Sequence, residues 1–383
     1  MHVMILTYEF HPTAGGVGNS TAYLARALKQ HLGAKVTIVD GGTSWMLATT
    51  KKVGEWEGSS VFRLKYTGLP EERFLRQSVR SAIFFIQFFF AAMRLKPDVI
   101  LSQRVYDLGL FAGIVAALIR CRSVTYAHGP DEIGHAEILP FRRSLNRLAG
   151  KLNDVMVATN SHHAEYLAAQ TGKSVAIIPN ISYPQIRHPN GIARKGSGHT
   201  RRRYRLLFVG RLCREYGYET KGLSCLLNAM PEMGDVDLEI VGDGPLREHY
   251  EDAAAILGIV DRVKFYGRIH HDEVGVLMAN ADALVVPSLF EGCSLTVLEA
   301  MRSGLLVLAT PVGGLLDLVK EGETGFRILP SNSASIVEQV HRARTRPSEV
   351  KRVVKNASRF VAERTSSEVV AEEFRPLLEQ GRS

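Results

Sequence analysis

Cysteine is scarce. Cys121, Cys213, Cys225 and Cys293 are scattered and form no Cys-x-x-Cys pair, which excludes a disulfide framework and a zinc site and reads as reduced packing residues in a cytoplasmic protein. No charge-free apolar run reaches the roughly 20 residues that a membrane-spanning helix needs. The opening stretch MHVMILTYEF starts directly on a strand and has neither the charged start nor the cleavage site of a signal peptide. The dinucleotide fingerprint is missing too, because the first glycine cluster reads Gly15-Gly16-x-Gly18 instead of Gly-x-Gly-x-x-Gly. Negative charge is in deficit: 39 acidic against 47 basic residues give a net charge of +8. That balance points to an anionic partner, whether a phosphorylated ligand, a membrane surface or nucleic acid, and does not choose between them. With 383 residues, 45% of them hydrophobic, two soluble domains are expected.

What is present centres on residues 288–304 (SLFEGCSLTVLEAMRSG). The apolar run 283–287 (ALVVP) before it reads as a buried parallel strand. After a loop, Leu295, Leu298 and Met301 recur at helical spacing until Gly304 stops the helix. A helix beginning at Ser294 offers unpaired N–H groups and about half a positive charge to a phosphate. Glu291 in the loop and Glu299 one turn into the helix flank that anion site. Amides for a diphosphate and carboxylates for hydroxyls suit a sugar nucleotide; a bare helix start with two solvated glutamates is the plainer alternative.

Taken from the beginning, residues 3–7 read as a strand, 9–19 as a glycine-bearing loop, 21–31 as a helix and 36–39 as a strand. Such a βαβ unit brings its first loop to the carboxyl edge of the sheet, where ligands bind; the glycines serve either a ligand or a simple turn. Strands follow at 97–101 and 123–127 around a helix at Leu108–Ile119, and the second runs into His128-Gly129. His128 therefore faces the same edge, as a ligand contact or a structural histidine, whereas His135 reads as a loop residue. A further strand at 154–158 ends where Ser161 is placed to cap the next helix. Residues 74–93 carry Phe84, Phe85, Phe88, Phe89 and Phe90 behind Arg73, Arg76 and Arg80. They form either a core helix or an aromatic and basic surface for anionic lipid or a lipid-linked acceptor.

Residues 183–205 are rich in proline, glycine and basic side chains and read as an interdomain linker. A second alternating unit opens at 205–209. Gly210-Arg211 ends that strand, Lys221-Gly222 opens a helix, and Gly242-Asp243-Gly244-Pro245 turns out of the strand Val236–Val241. Gly267-Arg268, the 283–287 strand, a last strand at 305–309 and the Gly313-Gly314 turn follow. Arg211 and Lys221 flank a crossover at the ligand edge, where two cations suit a diphosphate. The stretch from about Ser348 reads as helices.

In that order and spacing these motifs resemble the retaining glycosyltransferases of family four, the glycosyl transferases group 1. The match runs from Gly15-Gly16 through His128-Gly129, Gly210-Arg211, Lys221-Gly222, Gly242-Asp243-Gly244-Pro245 and Glu291-Gly292 to Glu299-Ala300-Met301, Val312-Gly313-Gly314 and the GETG of 322–325. The resemblance implies an α/β protein of GT-B architecture: two facing Rossmann-like doubly wound domains. Residues 1–183 form the acceptor-side domain, 184–204 the linker, 205–365 the nucleotide-sugar domain and 366–383 a C-terminal helix returning to the first. It implies that Arg211 and Lys221 bind and stabilise the leaving diphosphate, with backbone amides of Leu295 and Thr296 behind Ser294 on a phosphate. Glu299 would hold the ribose and Glu291 the sugar hydroxyls. Gly15, Gly16 and His128 would reach the donor from the first domain, and Gly210, Gly242, Asp243, Gly244 and Arg268 would border the phosphates and base. It further implies no metal and no cofactor, since no Asp-x-Asp triplet stands at a strand end and fixed cations replace a metal.

The resemblance thus implies metal-independent, retaining transfer of a hexose from a UDP- or GDP-linked donor to a lipid-linked, sugar or polysaccharide acceptor. Surface-polysaccharide or glycolipid assembly is the natural context, in the cytoplasm or peripherally at the inner face of the membrane. Three departures stand out. The insert 212–220 is long, making Arg214 a competitor for Lys221; Cys293-Ser294 replaces Phe-Gly; and Leu315-Leu316-Asp317 stands where a Pro-Glu pair is usual. The alternatives are a phosphorylase or epimerase on the same architecture, a non-catalytic scaffold or partner subunit, and a nucleic-acid binder resting only on the linker charge.

Overall fold

The computed structural model describes residues 1–8, 10, 16–41, 51–63, 74–129, 140–182, 203–215 and 217–379. The chain begins β1 (His2–Thr7), α1 (Gly16–Leu32), β2 (Lys35–Asp40), β3 (Lys51–Trp56), β4 (Ser59–Arg63) and α2 (Phe74–Leu95). It continues through β5 (Val99–Ser102), α3 (Leu108–Ile119), β6 (Arg122–Ala127), α4 (Pro140–Leu152), β7 (Val155–Ala158), α5 (Ser161–Thr171) and β8 (Val175–Ile177). Next come β9 (Tyr204–Val209), β10 (Arg214–Glu215), β11 (Tyr218–Glu219), α6 (Leu223–Ala229), β12 (Val236–Val241), α7 (Arg247–Ile256), β13 (Val263–Gly267), α8 (His271–Asn280) and β14 (Ala283–Val286). The last elements are α9 (Leu295–Arg302), β15 (Leu306–Ala309), α10 (Leu315–Leu318), β16 (Phe326–Arg327), α11 (Ser333–Thr345), α12 (Pro347–Thr365) and α13 (Ser367–Glu379). The chain divides into two compact units, Met1–Ile181 with Ser367–Ser383, and Ser182–Ser366.

In the first unit the strands run β3-β4-β2-β1-β5-β6-β7-β8, parallel apart from the β3–β4 pair. Parallel strands are covered on both faces, so they read as continuous apolar runs, and all of β1 and β5 is buried. Phe84 and Phe88 of α2 join Leu108, Ala112 and Val115 of α3 over Met4, Leu6 and Ile100. The same helix leaves Ile86, Phe90 and Met93 exposed, so it serves the core by one face only. Arg73 and the side chains of Arg76 and Arg80 lie outside the described residues, as does His135. Among the described residues no helix is long and apolar enough to cross a membrane. From the far end of the sequence, α13 packs against α1, buries Val370, Phe374 and Leu378, and accepts a 2.5 Å hydrogen bond from Arg122 Nε at the Leu377 carbonyl.

In the second unit six parallel strands run β13-β12-β9-β14-β15-β16. Leu223, Leu226 and Leu227 of α6 and Ile336 and Val340 of α11 cover one face, on Leu206, Phe208 and Leu238. Val297, Leu298 and Met301 of α9 and Met278 of α8 cover the other, on Leu207, Leu284 and Val307.

Two local expectations are corrected. The helix after the first loop starts at Gly16, not near Thr21, so Gly16 and Gly18 are helical. Small residues there are a packing device: Gly18, Ser20, Ala22 and Ala25 are buried, and Thr21 Oγ1 donates to the Val17 carbonyl at 2.8 Å. Ser161 does not cap α5; Asn160 does, its side chain accepting from the His163 amide at 2.9 Å. Residues 183–202, most of the expected linker, lie outside the described residues, as do Gly15 and most of the loop before it.

Candidate active site

Each sheet has a point where successive strands depart to opposite sides, and ligands of open parallel sheets bind outside the carboxyl ends of the strands there. In the second unit that point lies between β9 and β14. The loop after β9 supplies Gly210, Arg211 and Lys221; the loop after β14 supplies Glu291 and leads to Ser294 and α9.

The structure brings Lys221 and Glu291 together. Lys221 Nζ lies 2.5 Å from Glu291 Oε2, with side chains 23% and 10% exposed. Two glycines make this approach possible. Gly222, at φ +68°, precedes α6, and a Cβ on it would sit 2.0 Å from the Pro287 carbonyl oxygen. Gly313, at φ +49°, would place a Cβ 2.0 Å from the Glu291 carbonyl oxygen, which accepts from the Gly314 amide at 3.1 Å. Leu289 N–H donates to the Thr220 carbonyl at 2.8 Å, and Thr310 Oγ1 donates to the Ser288 carbonyl. The two loops and the turn after β15 therefore form one knot of backbone under the pair. Arg214, the sequence competitor of Lys221, instead stands exposed on β10, opposite Glu219 in a short hairpin.

Ser294 precedes α9 and makes no side-chain cap, so the amides of Leu295 and Thr296 begin the helix without an intrahelical acceptor. Glu299, 5% exposed, lies on the same helix with His271 Nε2 3.6 Å from its Oε1. Burial, set against the neighbouring Asp272, holds the His271 pKa below its ordinary value. On the other flank the Leu212 amide donates to the Asp243 carbonyl at 3.0 Å, and the Gly244 amide to its carboxylate at 2.9 Å. The Gly242 amide donates to the Gly267 carbonyl at 2.9 Å, and the Gly210 amide to the Val241 carbonyl at 3.0 Å. Arg211, Asp243 and Arg268 are exposed along this edge.

In the first unit the corresponding point lies between β1 and β5. Gly16 opens α1, with nothing within 4 Å of where a Cβ would stand. His128 directly follows β6 and is buried, 6% exposed. Burial lowers its pKa to about 3, against a smaller opposing effect of the Asn180 side chain, so the ring is neutral. His163, near enough in space for its charge to act on His128, is likewise held neutral by burial, at about 4. The sequence reading missed His271, Gln103, whose side-chain carbonyl meets His128 Nε2, and Arg104, whose guanidinium stands 5.6 Å from the ring centroids of both Tyr8 and Tyr106. Gln103 and Arg104 directly follow β5, and position after a strand was the one available signal.

Two largely parallel α/β units, each with its loops gathered at the carboxyl edge of its own sheet, define a class. The structure of a sucrose-phosphate synthase from Thermosynechococcus elongatus matches with a TM-score of 0.79 over 98% of both chains, at 21% identity. HepE of Anabaena in complex with UDP matches with a TM-score of 0.76 over 99% of both chains, at 18% identity. The fold is the GT-B architecture. The family model for Glycosyl transferases group 1 matches residues 203–345, and that for Glycosyltransferase Family 4 matches residues 14–181. The chain belongs to this family of glycosyltransferases. An uncharacterized glycosyltransferase of Methanocaldococcus jannaschii is 34% identical over 171 residues, 44% of this chain and 43% of that one. A 2-deoxystreptamine glucosyltransferase of Streptomyces kanamyceticus is 36% identical over 172 residues, 44% of this chain and 41% of that one. The matched stretches thus span less than half the length of these curated relatives.

Proposed function

We propose that the protein transfers a hexose, with retention and without a metal, from a nucleoside-diphosphate sugar to a sugar, polysaccharide or lipid-linked acceptor. The observation that carries the reading is the Lys221–Glu291 pair at the switch point of the second unit, ahead of the open amides of α9. An ammonium has three donors, so Lys221 keeps Glu291 with one and offers the others to a phosphate oxygen. Arg211 and the Leu295 and Thr296 amides complete the cradle for a diphosphate that gains charge as the C1–O bond breaks. Glu291 is then held where sugar hydroxyls meet phosphate, and Glu299 takes the ribose. Gly210, Gly242, Asp243, Gly244 and Arg268 border the phosphates and base. His128 and Gly16 are the residues of the first unit assigned to the donor. The acceptor oxygen attacks C1 from the leaving-group face, and its proton passes to the departing phosphate oxygen.

Solved relatives hold UDP, UDP-glucose and ADP, which supports a nucleoside-diphosphate donor. A relative named for lipopolysaccharide outer core supports an acceptor that carries sugars, and one named for 2-deoxystreptamine, an aminocyclitol, supports a hydroxyl-bearing ring as acceptor. The test is thermal stability with UDP-, GDP- and ADP-sugars, with and without chelator, on the wild type and Glu299→Ala. A ligand at about 100 times its Kd adds roughly 2.7 kcal/mol to the folded state. A chelator-insensitive shift with one nucleotide, lost in the variant, is expected; no shift with any would instead favour the partner-subunit reading. The anomeric configuration of the product then tests retention.

A further inference from the structure

Three helices of the first unit, α2, α3 and α4, form one layer on its sheet, with α3 packed against both of the others. The layer is tightly fixed. Asn153 Nδ2 donates to the Gly109 and Ala149 carbonyls at 2.8 Å, and a Cβ on Gly113 would stand 2.8 Å from Leu152 Cβ. None of the three helices contains an aspartate or glutamate, although 39 of the chain's 383 residues are acidic. Their charge is all of one sign: Arg76, Arg80 and Arg94 in α2, and Arg142, Arg143, Arg147 and Lys151 in α4. Asp98 and Asp107, at opposite edges of the sheet, are engaged locally. Asp98 accepts from the His2 amide at 2.6 Å, and Asp107 caps α3 and stands 3.7 Å from Arg104.

The outward side of this layer is also apolar. With Phe84, Phe88 and Ala92 buried, the opposite arc of α2 carries Ile83, Ile86, Phe90 and Met93, between 37% and 66% exposed. Their spacing of three, four and three residues draws a stripe about 15 Å long on one helix face. Leu118 of α3 and Leu148 of α4 are exposed as well, and so are Arg94, Arg143, Arg147 and Lys151. A lone exposed apolar side chain is ordinary. A row of four, in a layer with seven cations and no carboxylate, marks a surface that something covers.

We propose that the outer surface of α2, α3 and α4 docks on a bilayer containing anionic lipid, with α2 lying in the plane of the interface. Charge complementarity and the apolar stripe select this occupant together. Nucleic acid would satisfy the cations and leave isoleucine, phenylalanine and methionine in water. A bilayer surface takes both, the apolar side chains at the acyl boundary and the cations among anionic headgroups, with arginine and lysine reaching up along their stems. The proposal does not rest on the donor chemistry above, and it favours the lipid-linked member of the proposed acceptors.

The test is co-sedimentation of the full chain with phosphatidylcholine vesicles, with and without phosphatidylglycerol. Binding is expected only with the anionic lipid, and should weaken as salt is raised. Arg143→Gln, Arg147→Gln and Lys151→Gln together should weaken it about a hundredfold, at about fivefold per cation. Ile86→Ser with Phe90→Ser should weaken it by more than about tenfold. Removing equal charge from the second unit, with Lys351→Gln, Lys355→Gln and Arg359→Gln in α12, should leave binding as it is. Phe90→Trp gives a reading that needs no loss of binding: its fluorescence should be quenched by lipids brominated along the acyl chain. No binding to the anionic vesicles, an equal loss in the α12 variant, or an unquenched tryptophan at position 90 overturns the proposal. So does a dimer in solution that Phe90→Ser dissociates, which would give the face to a second copy of the chain, or capture of duplex DNA in preference to the vesicles.

Discussion

At the scale of single residues, the site depends on carbons that are not there. Alanine at Gly313 would combine a left-handed backbone with a Cβ 2.0 Å from the Glu291 carbonyl oxygen. The conformational penalty and the enforced shift together should cost about 2–4 kcal/mol, read as a lower urea midpoint for the second unit. Donor binding should suffer with it, because the atom displaced belongs to Glu291. The ion pair makes a second prediction. Lys221→Met strips a carboxylate only 10% exposed of its counter-charge, at a cost of about 1–3 kcal/mol. Glu291→Gln added to that variant should recover most of the loss in a double-mutant cycle, while donor binding stays impaired in both. Full additivity of the two changes would show that the pair contributes nothing to the fold.

At the scale of elements, caps and small residues decide where helices begin. Asn160→Ala removes the acceptor for the His163 amide and should destabilise the first unit by about 1 kcal/mol; Ser161→Ala, one residue on, should cost less, and thermal melts of the two variants separate them. This is also where sequence reading and structure part. The parallel strands were legible because burial on both faces writes them as unbroken apolar runs such as VILS in β5 and LVLA in β15. The start of α1 was not, since Gly16 and Gly18 carry the local signal of a turn, and only their burial beneath the helix reveals a packing role. Glu291 and Glu299 could be picked out around a helix start. That Lys221 grips Glu291 could not, because 70 residues separate them and only the β9–β14 topology closes the gap. Gln103 had still less to show: a single glutamine after a strand has no spacing signature, and its meaning comes from the strand next to it.

At the scale of the whole molecule, the buried histidines set a pH limit. His128 and His163 are neutral in the folded first unit, with pKa values lowered to about 3 and about 4, and His2 is shifted the same way by burial. The unfolded chain binds protons at these positions near pH 6.5, so their contribution to stability is complete above that pH. It is lost as pH falls toward the folded values. Each histidine contributes a slope of about 1.4 kcal/mol per pH unit, so the two together should remove roughly 2.7 kcal/mol between pH 6 and pH 5. Urea midpoints across that interval check the slope, and His163→Gln should flatten it by about half; an unchanged slope would mean that the ring does not stay neutral.

The return of α13 to the first unit has a consequence in time. Phe374 covers Tyr126 with ring centroids 5.3 Å apart, and Tyr126 in turn lies against His128. Ser182–Ser366 must be synthesised between the first unit's body and the helix that completes it. At about 5–20 residues per second this takes roughly 10–40 s. During that interval the nascent first unit stands on the ribosome with the side of Tyr126 that Phe374 will cover still open, while the second unit is finished before the first. A segment translated after the whole second unit thus closes the packing around a ring of the first, and a chain released before it would carry a complete second unit and an unfinished first one.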